Sequence, residues 1–159
     1  MTHPAASQAV IAGYVRTPLH FAKKGQLVDV RPDDLAAVAV KALVARTGVN
    51  AADIEDLILG CAYPEGEQGD NMARRVALLA GLPLEVGGTT VNRFCGSAMT
   101  AIHIAAWHIA IGAGEVFVCG GVESMTRVPQ GGFTRAPNPR LQDPAINAYI
   151  PMGQTAENV

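Results

Sequence analysis

The sequence predicts an α/β fold built around a parallel sheet covered on both faces. Short apolar runs at Val10–Val15, Asp56–Ala62, the stretch ending at Val91, and Glu115–Gly121 alternate with helical stretches, the pattern of parallel strands joined by helical crossovers. The run Asp56-Leu57-Ile58-Leu59-Gly60-Cys61-Ala62 is nearly unbroken rather than alternating, as in a strand buried on both faces. Of the 159 residues, 49% are hydrophobic and 17 are glycine. That is enough for one α/β domain or part of a larger one.

Taken in order, Val10-Ile11-Ala12-Gly13-Tyr14-Val15 reads as a first strand and Arg16-Thr17-Pro18 as the loop after it. Pro32 sits at a first helical position with Asp33 and Asp34 in the first turn. Leu35, Val38, Ala39, Ala42 and Leu43 mark one face of that helix, and Gly48 ends it. A short turn around Asp53 leads into the second strand. The polar loop Pro64–Gly69 follows, with Asp70 as the predicted N-cap of a helix that turns Met72, Ala73, Val76, Ala77 and Ala80 inward and stops at Gly81.

The third strand ends at Val91, and a third helix opens at Cys95. From Ala98 to Ile111 this helix has no Asp, Glu, Lys or Arg, so it is expected to be buried nearly all round and to need partners on every side. The fourth strand is Glu115–Gly121, with Gly120-Gly121 read as a tight turn, since no GxGxxG phosphate signature accompanies the pair. Residues 125–151 hold five prolines and no sustained periodicity, as in an excursion from the core. A last helix begins near Gln154 or Thr155. With no stop signal after it, the sequence is expected to be part of a longer chain.

Twelve basic against fourteen acidic residues give a net charge of −2 with no basic block, which argues against nucleic acid as a partner. No run reaches the roughly eighteen apolar residues of a membrane helix. The first eight residues carry no Lys or Arg and do not read as a leader, so a cytoplasmic location is expected. Cys61, Cys95 and Cys119 are odd in number and lack CxxC spacing, as in reduced thiols rather than a disulfide framework or a metal site.

Cys95 is the candidate nucleophile. A thiol at a helix N-terminus meets unsatisfied backbone N–H groups and the positive end of the helix dipole, which favour the attacking thiolate. The small residues Gly96-Ser97-Ala98 keep the approach to it open. Cys61 and Cys119 sit inside strand runs and read as core thiols. His103 and His108 lie two and nearly four turns along the helix, too far to reach the Cys95 sulfur. Asn92 and Arg93 are read as ties of the Cys95 loop or as a subunit contact. Arg127, Arg135 and Arg140 are candidates to cover a substrate or to mediate oligomer contacts.

Four ordered segments resemble the thiolases: Arg16-Thr17-Pro18; Gly69-Asp70-Asn71-Met72-Ala73-Arg74; Val91-Asn92-Arg93-Phe94-Cys95-Gly96-Ser97; and Gly120-Gly121-Val122-Glu123-Ser124-Met125 followed by Met152-Gly153-Gln154-Thr155-Ala156-Glu157. The Asn92–Met99 segment is most similar to the degradative 3-ketoacyl-CoA type, with the acetoacetyl-CoA-forming biosynthetic type close behind. The resemblance implies the first half of a thiolase-like fold, with a mixed, mostly parallel sheet and a buried central helix. Residues 1–124 would form the α/β half and 125–159 the start of a loop region.

The resemblance also implies acyl transfer in lipid metabolism, with Cys95 carrying the acyl thioester, CoA and acyl-CoA as substrates, no resident cofactor or metal, and a homodimer or homotetramer. Thiolases further use a histidine in a Gly-His-Pro motif and a cysteine in a Cys-x-Gly motif of their second half. No Gly-His-Pro occurs here, and Cys119-Gly120-Gly121 falls inside a strand-like run. The chain alone is therefore expected to be inactive. A non-catalytic acyl-binding partner subunit, or a related condensing enzyme of the same superfamily, remains as an alternative.

Overall fold

The apolar run at residues 56–62 forms the middle of the sheet. In the computed structural model, which describes residues 8–143, 146 and 148–159, β1 (Asp56–Gly60) lies between β2 (Gly87–Val91) and β3 (Phe117–Gly121). All pairings are parallel, in the order β2-β1-β3. Paired on both edges and covered on both faces, β1 has no side left for water, and Leu57, Ile58 and Leu59 are each at most 2% exposed.

Helices α1 (Pro32–Thr47) and α2 (Met72–Leu79) cover one face of the sheet, and α3 (Ser97–Ala110) covers the other. Side chains of a strand alternate between faces. Leu57 and Leu59 accordingly join a core with Ala36, Ala37, Val40, Met72, Ala73, Val76 and Ala77, while Ile58 packs with Ala101 and Ala105. A short α4 (Met152–Glu157) ends the chain, starting earlier than Gln154 because Pro151 supplies its N-cap. No helix among the described residues is long and apolar enough to cross a membrane. The reading of residues 1–7 as lacking a leader lies outside the described residues.

Pro32 does open α1, and Gly48 closes it in the left-handed conformation (φ 68°). The buried face is Asp33, Ala36, Ala37 and Val40 rather than Leu35, Val38 and Ala42; Val38 is 61% exposed. Small residues let α1 lie close to α2, and the alanine stripe outcompetes the bulkier one. The N-cap of α2 is Asn71, not Asp70. Its side-chain oxygen accepts the Arg74 N–H and the Thr90 hydroxyl, while its amide donates to the Gly88 carbonyl, so it ties the helix to β2.

Val10–Val15 forms no strand. A strand requires a ladder, and among the described residues none pairs with this segment; Val10, Ile11 and Tyr14 are each 78–79% exposed. Helix α3 is buried on one side only, through Ser97, Thr100, Ala101 and Ala105. Its other side exposes Met99, Ile102 and Trp107, because the elements present cover a single face of an all-round apolar helix.

A chain of alternating charges fastens the start of α1 to its neighbours. Asp33, 2% exposed, takes two hydrogen bonds from Arg31 (3.0 and 2.8 Å) and an ion pair from Arg75. Arg31 reaches Glu67 at 3.3 Å, and Glu67 accepts from Arg127 Nε at 2.9 Å. Arg127, partly exposed, is thus tied to the polar loop before α2 through Glu67.

Burial pushes the Asp33 carboxyl up, but the Arg31 hydrogen bonds and the charges of Arg31 and Arg75 more than offset this and hold it below the usual carboxylate range. As pH falls, the unfolded chain therefore binds protons first, and the stability this group contributes is complete above about pH 5 and fades below about pH 4. Asp33→Asn is expected to lower stability by about 1–2 kcal/mol near neutrality, since the buried carboxylate loses charge-assisted hydrogen bonds while both guanidinium groups keep access to water. It should also flatten the acid limb of stability against pH in urea unfolding. An unchanged acid limb would assign that slope to other groups.

Candidate active site

Because the strands run parallel and in register, Gly60, Val91 and Gly121 end level with one another. The loops that follow them meet at one edge of the sheet, the usual location of ligand sites in parallel α/β folds. They are bound together by polar groups. Glu123 accepts from the Ala62 N–H (2.7 Å) and from Gln68 Nε2 (2.6 Å). Gln68, with no exposed surface, also donates to the Tyr63 carbonyl (2.8 Å) and accepts the Ser124 N–H (2.6 Å). Asn92 donates to the Ala62 carbonyl (3.0 Å) and accepts the Phe94 N–H (2.9 Å).

Cys95 follows this junction and is exposed. It stands just before α3 rather than opening it. Gly96 is the N-cap and Ser97 the first helical residue. The reason lies in a tight turn over residues 93–97. Ser97 Oγ accepts the Arg93 N–H (2.8 Å) and donates to the Phe94 carbonyl (2.6 Å), while the Gly96 and Ser97 amides donate to the Arg93 and Phe94 carbonyls at 3.0 Å. Phe94 holds φ at 47°, a left-handed conformation that a non-glycine residue adopts at a cost.

Two glycines let α3 begin here. A Cβ at Gly60 would lie 2.4 Å from the Ala98 nitrogen, and one at Gly121 would lie 2.8 Å from the Ala98 Cβ. Gly120-Gly121 is accordingly not a turn. Both residues finish β3, and the missing side chain of Gly121 is what the helix start occupies. The carboxyl ends of β1 and β3 thus act as a seat for the first turn of α3.

The other two thiols are placed differently. Cys61 is 1% exposed, and burial together with the Glu123 charge pushes its thiol up to about 12. Cys119 faces Ala101 of α3, and burial followed by the Asp56 charge pushes it up to about 11. Cys61, directly after β1, packs in the core, and Cys119, within β3, is half-buried against α3. His103 lies against Trp107 (ring centroids 6.0 Å apart) and His108 meets Phe117 edge-on (5.6 Å). These contacts occupy both rings away from the Cys95 loop.

Asn92 ties the Cys95 loop, as one of its two sequence readings has it; Arg93 contributes its backbone to the turn over residues 93–97. Gln68 and Glu123 carry no sequence signal that marks them as parts of this junction. A buried glutamine within a polar, glycine-rich loop leaves no periodic trace, and only the level ends of the strands show that residues 62, 68, 92 and 123 meet. Arg140 is used through its backbone amide, which donates to Asn138 in the 3-10 turn Pro139–Leu141.

A family model described as the N-terminal domain of thiolase matches residues 9–159. The chain is similar to the 3-ketoacyl-CoA thiolase of Bacillus subtilis, with 49% identity over 152 residues, 96% of this chain and 39% of that relative. It is 45% identical over 149 residues to the 3-ketoacyl-CoA thiolase of Saccharophagus degradans, covering 93% and 38%. With the protein of that name from a Marinomonas species the figures are 47% over 152 residues, 95% and 39%. The chain therefore spans about two-fifths of the length of the curated relatives it matches.

Proposed function

From the fact that this chain belongs to the thiolase family, matching its N-terminal domain over residues 9–159, we propose that it supplies the nucleophile of a thiolase-type acyl transfer, with Cys95 as that nucleophile. The observation that carries the proposal is the contrast among the three thiols. Cys95 is exposed beside the N-terminus of a fourteen-residue helix, whereas Cys61 is buried, Cys119 is half-buried, and burial pushes both thiols up. Nucleophilic acyl transfer needs an accessible thiolate and donors for the developing oxyanion, and a helix start offers unsatisfied N–H groups.

In this reading the Cys95 sulfur attacks the 3-keto carbon of a 3-ketoacyl-CoA. The bond between carbons 2 and 3 then breaks, its electron pair leaves as the enolate of acetyl-CoA, and a proton quenches that enolate. The thiol of a second CoA takes the acyl group from Cys95 and returns the free cysteine. Splitting the transfer in this way lets two thiols exchange one acyl group through a thioester of similar energy. The proton-transfer groups belong, by the family resemblance, to the part of the relatives that this chain does not span. Acetoacetyl-CoA formation would use the same cysteine in the reverse direction.

The test is covalent. Incubation of a polypeptide that joins this chain to the remaining length of its relatives with a short 3-ketoacyl-CoA or acetyl-CoA, followed by peptide mass mapping, should place one acyl group on Cys95, and added CoA should discharge it. An acyl group on Cys61 or Cys119, or one that CoA fails to remove, would contradict the proposal.

A further inference from the structure

We infer that Asn92 is a positioning residue for Cys95, acting by holding Phe94 in the left-handed conformation that presents the thiol; this rests on Cys95 being the nucleophile. Phe94 has φ 47°, where a bulky side chain is strained. The residue must therefore be held there by its surroundings. Two sets of bonds reach it. Ser97 bonds to its carbonyl, from Oγ at 2.6 Å and from the amide at 3.0 Å. On the amino side, the side-chain oxygen of Asn92 accepts the Phe94 N–H at 2.9 Å.

Asn92 is itself fixed from the other direction. Its amide donates to the Ala62 carbonyl at 3.0 Å, and the Ala62 N–H is held by Glu123 at 2.7 Å. Tyr63, next along, lies against the Phe94 ring at 6.1 Å between centroids. The fully buried Gln68 anchors Glu123 and the Tyr63 carbonyl together. A continuous run of bonds thus passes from the core junction through Ala62 and Asn92 to the strained residue directly before the thiol. Loss of the Asn92 acceptor lets Phe94 relax towards negative φ, which turns Cys95 away from the start of α3.

The experiment measures the rate at which iodoacetamide labels Cys95 in the full chain, with protection of the buried Cys61 as the check that each variant is folded. Asn92→Ala is expected to slow labelling of Cys95 about fivefold, the scale of a relieved left-handed residue. Glycine takes positive φ freely, so in a Phe94→Gly background the same Asn92→Ala change should alter the rate less than about twofold. A merely structural role for the Ala62 tie would give equal effects in both backgrounds and would overturn the inference. So would an unchanged rate in Asn92→Ala. Should Asn92→Ala expose Cys61, Asn92→Ser serves instead: its hydroxyl can accept the Phe94 N–H, so it should keep the rate within about twofold of the parent, and a fivefold fall would overturn the inference. These comparisons are read on Cys95's own rate. If Cys61 or Cys119 is labelled before Cys95 in the parent, it is the nucleophile reading that fails.

Discussion

Gly60→Ala is expected to lower stability by about 3 kcal/mol, a fall in Tm of roughly 9 °C for a chain of this size. The added Cβ would lie 2.4 Å from the Ala98 nitrogen, 2.6 Å from the Ser97 carbonyl carbon and 2.7 Å from the Ser97 Cβ. Two of these atoms are backbone of the first turn of α3, so no side-chain rotation relieves the clash. The helix start has to lift from β1, and the 93–97 turn that carries Cys95 lifts with it. Labelling of Cys95 should therefore change together with Tm. Gly153→Ala is the matched control, because a Cβ added there would meet nothing within 4 Å and the site is helical. Equal Tm values for the two variants would show that α3 does not rest on Gly60.

Cys95→Ala should abolish the acyl adduct. In a polypeptide that carries these residues and turns over 3-ketoacyl-CoA, it should lower kcat by roughly four orders of magnitude or more, since removal of a covalent nucleophile leaves only binding and electrostatic stabilisation. Its effect on stability should be small, because the side chain is exposed. Cys119→Ala removes a thiol that packs against the Ala101 carbonyl, and it should leave adduct formation unchanged. Acylation that survives Cys95→Ala and disappears in Cys119→Ala would move the chemistry to the other cysteine.

The residues most legible in the sequence are those whose role is local. Pro32 and Gly48 bound α1 because proline fixes φ and lacks an N–H, while glycine accepts a left-handed cap; both effects act wherever the residues occur. The unbroken run through Leu57 and Leu59 identifies a doubly covered strand for the same reason. Features that depend on partners are not legible in this way. Val10–Val15 has strand composition, but strand character is completed by a neighbouring ladder, and none is present among the described residues. Hydrophobicity alone misplaces the stripe of α1, because its buried side is chosen by the close fit of Ala36 and Ala37 to α2.

The site divides in the same way. Cys95 stands out in the sequence through its flanking residues, and its side chain is exposed. Gly121 reads as a turn because its purpose, to leave room for Ala98, exists only once a helix from another part of the chain lies across it. Gln68 and Glu123 join Ala62, Asn92 and Ser124 across as many as 61 positions of sequence. Only the level ends of three parallel strands bring such positions together.

The most direct test of the central claim is the order in which the three thiols react. With substoichiometric iodoacetamide near pH 8, peptide mapping should find Cys95 modified well before the other two. With their thiols pushed up to about 12 and about 11, Cys61 and Cys119 keep only roughly one thiolate in ten thousand and one in a thousand at that pH, and both are shielded. Labelling of Cys61 or Cys119 ahead of Cys95, or equal labelling of all three in the folded chain, would contradict the assignment of Cys95 as the nucleophile.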